Sequence, residues 1–245
     1  MTADTWIRRF HPSPQAVEKL VCFPHAGGSA SYFYPLSELL APTIEVLAVQ
    51  YPGRQDRIAE KCAGSITELA RGALAGEPAP PFSFFGHSMG SIVAFEAARL
   101  CQQGGVSGPD RLITSGYPAP SRLRNGHVHL RDDAGLIAEL RELGGVDPRW
   151  LDDADVLATV LPPLRADYQV IEAHPATAER LTGIPVRMLV GDADPHTTLA
   201  EAEAWAQATT GRFDLRVFAG GHFYLEEHLA EVAQLILTGV GETTH

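Results

Sequence analysis

Short apolar runs alternate along the chain with longer segments in which apolar residues recur at helical spacing. The apolar runs predict strands at 19–23, 44–49, 82–85, 111–114, 186–190 and 215–218. Helical spacing predicts helices near 31–41, 65–75, 89–103, 197–209 and 225–238. Because the strands are almost continuously apolar and are separated by helices, we predict an α/β fold with a mostly parallel central sheet and helices on both faces.

One interval, residues 117–183, interrupts this alternation, and it is longer than a single crossover between parallel strands requires. Apolar positions have helical spacing over 136–143 and again over 157–171. Pro162-Pro163 should kink or break the second of these helices. We predict a helical insertion at about 118–180 that forms a lid over the strand ends; the alternative is an extra packing layer without a gating role.

A serine stands between two glycines directly after the predicted strand at 82–85, in the motif Gly86-His87-Ser88-Met89-Gly90. The residues that follow it, 91–100, favour a helix. A sharp turn from strand to helix holds its central residue in a strained conformation, and flanking glycines leave room for that turn. The motif therefore predicts a nucleophile elbow with Ser88 exposed; the alternative is a structural turn that matches by chance.

A serine nucleophile needs a base to take its proton and an acid to orient that base. His222 follows the last predicted strand within Gly220-Gly221-His222, and glycines allow such a loop to bring the imidazole back towards the serine. The turn after the strand at 186–190 offers two acids, Asp192 and Asp194, one residue apart. We select Asp194 and keep Asp192 as the alternative; either gives the chain order serine, acid, histidine.

An acyl-transfer site also needs donors for the oxyanion that develops on the carbonyl oxygen. The backbone N–H of Met89, directly after the predicted nucleophile, is one donor. The glycine-containing loop 23–29 follows the first predicted strand and should supply the second, from Ala26 or from its neighbour Gly27. The alternative is an ordinary turn, and the loop lacks the spacing of a phosphate-binding loop.

Composition narrows the class of protein. The 245 residues are 45% hydrophobic and 20% charged, which fits one α/β domain spanning 1–245. Cys22, Cys62 and Cys101 form no CxxC pair, so neither a disulfide framework nor a zinc site is expected. The sequence lacks a signal-peptide pattern or a long apolar run, so we expect a cytoplasmic protein without a membrane partner. A net charge of −11 without a basic cluster disfavours nucleic acid as a partner.

Five motifs together carry a family resemblance: Pro24-His25-Ala26-Gly27-Gly28, Gln50-Tyr51-Pro52-Gly53-Arg54, Gly86-His87-Ser88-Met89-Gly90, Gly191-Asp192-Ala193-Asp194-Pro195 and Gly220-Gly221-His222-Phe223-Tyr224-Leu225. The chain resembles type II thioesterases, the editing enzymes of polyketide and nonribosomal peptide assembly lines. The resemblance implies an α/β-hydrolase fold with a helical lid, Asp194 as the acid, and no metal or cofactor. It also implies hydrolysis of acyl groups from the phosphopantetheine arm of acyl carrier proteins, with the polyketide branch the closer match. We expect a monomer.

Three other functions remain open at this point. A carboxylesterase or lipase would use the same three residues on oxygen esters. A chain-terminating cyclase would use an intramolecular hydroxyl or amine where the hydrolase uses water, and a binding protein on the same fold would have no activity.

Carrier proteins are typically acidic, so an acidic enzyme must dock them through a local basic patch. Arg122, Arg124 and Arg131 are candidates for this patch; an ordinary solvated surface is the alternative.

Overall fold

Seven strands form one sheet in the order β1-β3-β2-β4-β5-β6-β7. The computed structural model describes residues 5–75, 81–123, 126–144 and 149–238. The strands are β1 (Ile7–Arg8), β2 (Glu18–Phe23), β3 (Ile44–Val49), β4 (Phe82–His87), β5 (Leu112–Ser115), β6 (Val186–Gly191) and β7 (Phe213–Phe218). All neighbouring strands run parallel except β1, which pairs antiparallel with β3. The predicted mostly parallel sheet is confirmed.

Helices connect the strands in the alternation that the sequence predicts. They are α1 (Tyr34–Leu40), α2 (Ile66–Leu74), α3 (Met89–Gly104), α4 (Asp133–Leu143), α5 (Ala154–Glu172), α6 (Leu199–Glu203) and α7 (Leu229–Leu237). The predicted helix at 197–209 is divided into α6 and a 3₁₀ segment, Ala204–Ala208. Within the described residues, no helix is long and apolar enough to cross a membrane.

The strands are apolar throughout because both faces of the sheet are covered. On β2 and β4, Val21 and Phe84 belong to the core that packs against α2 and α3. Their sequence neighbours Leu20 and Phe85 belong to the opposite core, against α1 and α7. Successive side chains of a strand point to opposite faces, so a buried central strand needs apolar residues at nearly every position.

The insertion between β5 and β6 contains α4 and α5, which share a small apolar cluster separate from the two main cores. Its buried members are Leu136, Leu140, Leu151, Leu161 and Leu164. Ala26, in the loop after β2, packs against this cluster. The insertion therefore lies against a loop at the carboxyl edge of the sheet, where the predicted site residues also fall.

A break at Pro162-Pro163 does not occur, because α5 runs through both prolines. A proline removes the hydrogen bond to the carbonyl four residues earlier. Those carbonyls belong to Ala158 and Thr159, which are both exposed, so water can hydrate them. Leu161 and Leu164, which flank the prolines, are buried and hold the helix by packing.

Candidate active site

Ser88 lies in a sharp turn between β4 and α3, with φ 54° and ψ −128°. This left-handed conformation is rare for a residue with a side chain. A Cβ atom added at Gly90 would lie 2.0 Å from the Phe23 carbonyl oxygen, and one added at Gly86 would lie 2.2 Å from the Gly90 carbonyl oxygen. Only glycine fits at either side of this turn, which has the backbone geometry that the motif predicts. The prediction that Ser88 is exposed is wrong, because the serine is only 8% exposed and lines a cavity.

Two further serines brace the turn. Ser88 N–H donates to the Ser115 carbonyl oxygen on β5 at 2.7 Å. Ser91 Oγ lies 2.9 Å from the Gly86 carbonyl oxygen and accepts Ser115 N–H at 3.0 Å. Sequence reasoning missed Ser91; the signal available was a serine in the first turn of an apolar helix, where a hydroxyl can bond to nearby backbone. These bonds tie the strained residue to two strands.

Asp194 contacts His222, whereas Asp192 does not. His222 Nδ1 lies 2.9 Å from Asp194 Oδ2 and 3.1 Å from Asp194 Oδ1, and both side chains are fully buried. Asp194 Oδ1 also accepts the N–H of His196 at 2.8 Å. Asp192 Oδ1 instead accepts the N–H of Gly220 at 2.9 Å and so holds the loop that carries His222. The two acids that the sequence could not separate therefore make different contacts.

Ser88 and His222 line the same cavity, which has a volume of about 60 Å³. The oxyanion loop, which we define as residues 23–29, forms one wall through His25, Ala26 and Gly27. Helices α4 and α5 of the insertion form another wall through Leu140, Leu143, Val160, Leu164 and Tyr168. Among the described contacts, no hydrogen bond joins Ser88 to His222; such bonds commonly shorten when substrate binds.

The backbone N–H groups of Ala26 and Met89 have no acceptor among the described residues. The N–H of Gly27, by contrast, donates to Asp167 Oδ2 of α5 at 2.8 Å. Because a donor can serve an oxyanion only when it is not already engaged, this contact favours Ala26 over Gly27 as the second donor. Both free donors flank the serine: Met89 follows it in the chain and Ala26 lines its cavity.

Two more histidine rings lie near His222, with His87 beside it and His25 beside His87. The ring centroids of His87 and His222 are 5.1 Å apart, and those of His25 and His87 are 5.9 Å apart. Burial, followed by the charge of His222, lowers the pKa of His25 to about 3 and holds the pKa of His87 well below its ordinary value. Both rings are therefore neutral at neutral pH and place no competing positive charge beside the imidazole of His222.

The lid also contacts the loop that carries Asp194. Glu139 of α4 is buried and accepts a hydrogen bond from His196 Nε2 at 3.0 Å. The same oxygen, Oε1, accepts from Tyr168 OH of α5 at 3.3 Å, and Oε2 accepts from Arg131 at 2.7 Å. Each of these two helices thus places one buried carboxylate against a loop of the candidate site: Glu139 next to the loop of Asp194, and Asp167 next to Gly27.

The described part of the chain offers no clear metal site. Within the ranges that the structure describes, no group of three or more His, Cys, Asp or Glu side chains is arranged to hold a metal ion. The cavity residues instead supply a hydroxyl, an imidazole, a buried carboxylate behind it and free backbone N–H groups. Those groups are the parts required for acyl transfer through a serine.

The sheet order, the strained serine between β4 and α3, and the helical insertion after β5 define an α/β-hydrolase. A family model, the thioesterase domain, matches residues 18–239. The chain therefore belongs to the thioesterase family, and it is a thioester hydrolase.

Individual relatives and solved structures show which thioesterases the chain is similar to. "Thioesterase PikA5" of Streptomyces venezuelae is 48% identical over 231 residues, which are 93% of this chain and 82% of that protein. The "Probable cadicidin biosynthesis thioesterase" of Streptomyces griseus is 46% identical over 242 residues, 96% of this chain and 67% of that protein. The solved structure of the type II thioesterase BorB, from the borrelidin biosynthetic cluster, superposes with a TM-score of 0.88 at 44% identity, covering 97% of this chain and 98% of that one.

Proposed function

We propose that this thioesterase removes aberrant or stalled acyl groups from the phosphopantetheine arm of acyl carrier proteins in polyketide biosynthesis. The observation that carries the proposal is the contact of Asp194 with His222 on the cavity that contains Ser88, within a chain of this family. Relatives named for cadicidin biosynthesis, for the borrelidin biosynthetic cluster and for the yersiniabactin NRPS/PKS pathway support the substrate class.

The proposed reaction proceeds through an acyl-enzyme. His222 takes the proton of Ser88, whose oxygen attacks the thioester carbonyl carbon. The N–H groups of Ala26 and Met89 hold the oxyanion, and His222 gives the proton to the departing pantetheine thiol. Water then attacks the acyl-enzyme by the same route and releases the free acid. Asp194 holds the imidazole in one tautomer and stabilises its charged form.

The proposal includes a lid that controls access to the site. We propose one α/β-hydrolase domain in which residues 118–180 form a lid that sets acyl size. The cavity holds about 60 Å³, which is room for a few water molecules and not for an extended acyl chain. Lid displacement must therefore accompany entry of a pantetheine thioester, and short acyl units require the least displacement.

The carrier protein should reach the site through local positive charge. Arg122 is exposed at the start of the lid, whereas Arg131 pairs with Glu139; Arg124 lies outside the described residues. We propose Arg122 as a docking residue, with Arg131 serving mainly the lid. We propose that the enzyme acts beside its synthase in the cytoplasm and that it is a monomer, which light scattering of the purified chain would test.

Mass spectrometry of carrier proteins tests the proposal directly. Carrier proteins loaded with acetyl, propionyl, malonyl or long acyl groups would be incubated with the enzyme or with Ser88→Ala. The parent should return carrier proteins to the free thiol form, fastest for acetyl and propionyl groups, whereas Ser88→Ala should leave them loaded. Rapid hydrolysis of simple oxygen esters with no loss from any carrier protein would contradict the proposal.

A further inference from the structure

We infer that Arg54 and Asp167 are a positioning pair through which the lid holds the oxyanion loop in its working conformation. The inference rests on the proposed function, because it assigns Ala26 N–H to the oxyanion. It concerns two side chains that contact neither Ser88 nor His222 in this structure, and that belong to segments 113 residues apart in the chain.

Asp167 lies on α5 and is 3% exposed, and both of its carboxylate oxygens are engaged. Oδ2 accepts the N–H of Gly27 at 2.8 Å and Nη1–H of Arg54 at 2.5 Å. Oδ1 accepts Nη2–H of Arg54 at 2.9 Å. A single lid carboxylate therefore holds one backbone group of the oxyanion loop and one buried guanidinium in a two-pronged pair.

Arg54 holds the next part of the same loop. Its Nη1 donates to the Gly28 carbonyl oxygen at 3.1 Å, and its Nε and Nη2 each lie 3.3 Å from the Pro52 carbonyl oxygen. Arg54 is 4% exposed, and the side-chain Nε2 of Gln50 donates to its carbonyl oxygen at 3.2 Å. The guanidinium thus joins the oxyanion loop to the segment after β3, and Asp167 joins both to the lid.

These contacts fix the peptide that follows Ala26. The Gly27 N–H belongs to the peptide plane between Ala26 and Gly27, so its bond to Asp167 sets that plane and keeps this donor out of the cavity. Leu164, one helical turn before Asp167, packs on the same glycine; a Cβ at Gly27 would lie 2.9 Å from Leu164 Cδ1. The Ala26 N–H lies in the preceding peptide plane, whose carbonyl oxygen, that of His25, accepts the Gly28 N–H at 3.0 Å. Because Asp167 and Arg54 hold Gly27 and Gly28 of this turn, they also help to orient the Ala26 N–H.

The expected effect of the Arg54–Asp167 pair is larger on the catalytic rate than on stability. A buried ion pair contributes about as much to stability as an apolar pair of the same size, because desolvation offsets the attraction. Loss of one oxyanion donor, by contrast, costs about 10²- to 10³-fold in kcat, and a displacement of about 1 Å can cost about 10²-fold. A pair that holds the donor loop therefore has its larger effect on the rate.

The primary test is Asp167→Asn, which keeps the side-chain shape but removes the charge that pairs with Arg54. Its matched control is Glu172→Gln on the same helix. Glu172 is also a buried carboxylate that accepts backbone N–H groups, those of Val128 and His129, but these lie within the lid. For a small acyl thioester, Asp167→Asn should lower kcat by about 10- to 10²-fold with KM nearly unchanged, and Glu172→Gln should change neither constant appreciably.

A transition-state analogue distinguishes loss of oxyanion-loop positioning from general disruption of the lid. A trifluoromethyl ketone forms a tetrahedral adduct with a catalytic serine and places an oxyanion in the donor site. Its affinity should fall in Asp167→Asn by the same factor as kcat/KM, whereas the affinity for an uncharged thioether analogue of the substrate should not change. Equal losses of kcat in the two variants, or an unchanged affinity for the ketone, would overturn the inference.

A second variant keeps the inference testable if Asp167→Asn does not fold. The double variant Arg54→Met/Asp167→Leu replaces the ion pair with apolar side chains that can fill the same space. It should retain the parent circular dichroism spectrum and still lose kcat by about 10- to 10²-fold; parent-like kcat in the folded double variant would refute the inference. Failure of the parent enzyme to hydrolyse any thioester would instead refute the proposed function.

Discussion

Asp194→Asn should reduce kcat far more than Asp192→Asn does. Asp194 lies 2.9 Å from His222 Nδ1, and neither side chain is accessible to water. Two unit charges about 4 Å apart, at the effective dielectric constant of about 20 that reproduces protein data, attract by about 4 kcal/mol. Loss of that attraction when the imidazole is charged corresponds to about 10³-fold in rate, and loss of the correct tautomer brings the total to about 10⁴-fold.

Asp192→Asn is the matched control because it makes the same chemical change two residues away. The asparagine keeps an oxygen that can accept the Gly220 N–H, so the loop that carries His222 should hold its position and kcat should fall less than about 10-fold. Single-turnover hydrolysis of an acyl thioester at saturating enzyme would measure both variants, with circular dichroism to check the fold. A larger loss in Asp192→Asn than in Asp194→Asn would refute the assignment of the acid.

Two further predictions concern the lid. Arg122→Glu should raise KM for acyl carrier protein substrates and weaken the salt dependence of KM without affecting small thioesters, whereas Arg131→Glu should slow hydrolysis of both substrate types because Arg131 pairs with Glu139. Kinetics at several salt concentrations would measure these effects. Equal losses on both substrate types in Arg122→Glu would show that Arg122 does not dock the carrier protein. The hydrogen bond from His196 lowers the pKa of Glu139 from its ordinary value, so the contribution of this carboxylate to stability is present above the ordinary pKa and is lost as pH falls through the folded pKa. Glu139→Gln should therefore lower the urea midpoint at neutral pH by more than in acid, and a difference that grows on acidification would contradict this.

Local patterns were sufficient to predict most of the fold. The strand Ile44–Val49 has the predicted bounds, because a strand buried on both faces is marked by its own residues. β1 has two residues, Ile7–Arg8, and so carries no periodicity that could predict it. The helix at 157–171 was predicted from its apolar spacing, but the possible break at Pro162-Pro163 does not occur. A rule about proline considers only the local hydrogen bond, and buried leucines on both sides of the prolines outweigh its loss.

The site was predictable where a residue is marked by its neighbours in the chain. Ser88 lies between two glycines that the turn requires, and its position could be inferred from that motif alone. The choice between Asp192 and Asp194 depends on how one turn directs two side chains, which spacing does not determine. Arg54 belongs to a recognisable motif, but its partner Asp167 lies in the lid, and no local pattern joins positions so far apart in sequence.

The central claim is that Ser88 forms an acyl-enzyme. The most direct measurement is the rate of acyl-thioester hydrolysis by Ser88→Ala, with intact-mass detection of the acylated parent under the same conditions. The variant should fold normally and lose activity by a factor on the order of 10⁶, while the parent gains the mass of one acyl group during turnover. Hydrolysis by Ser88→Ala at a tenth of the parent rate, or an acyl group bound to another residue, would contradict the account.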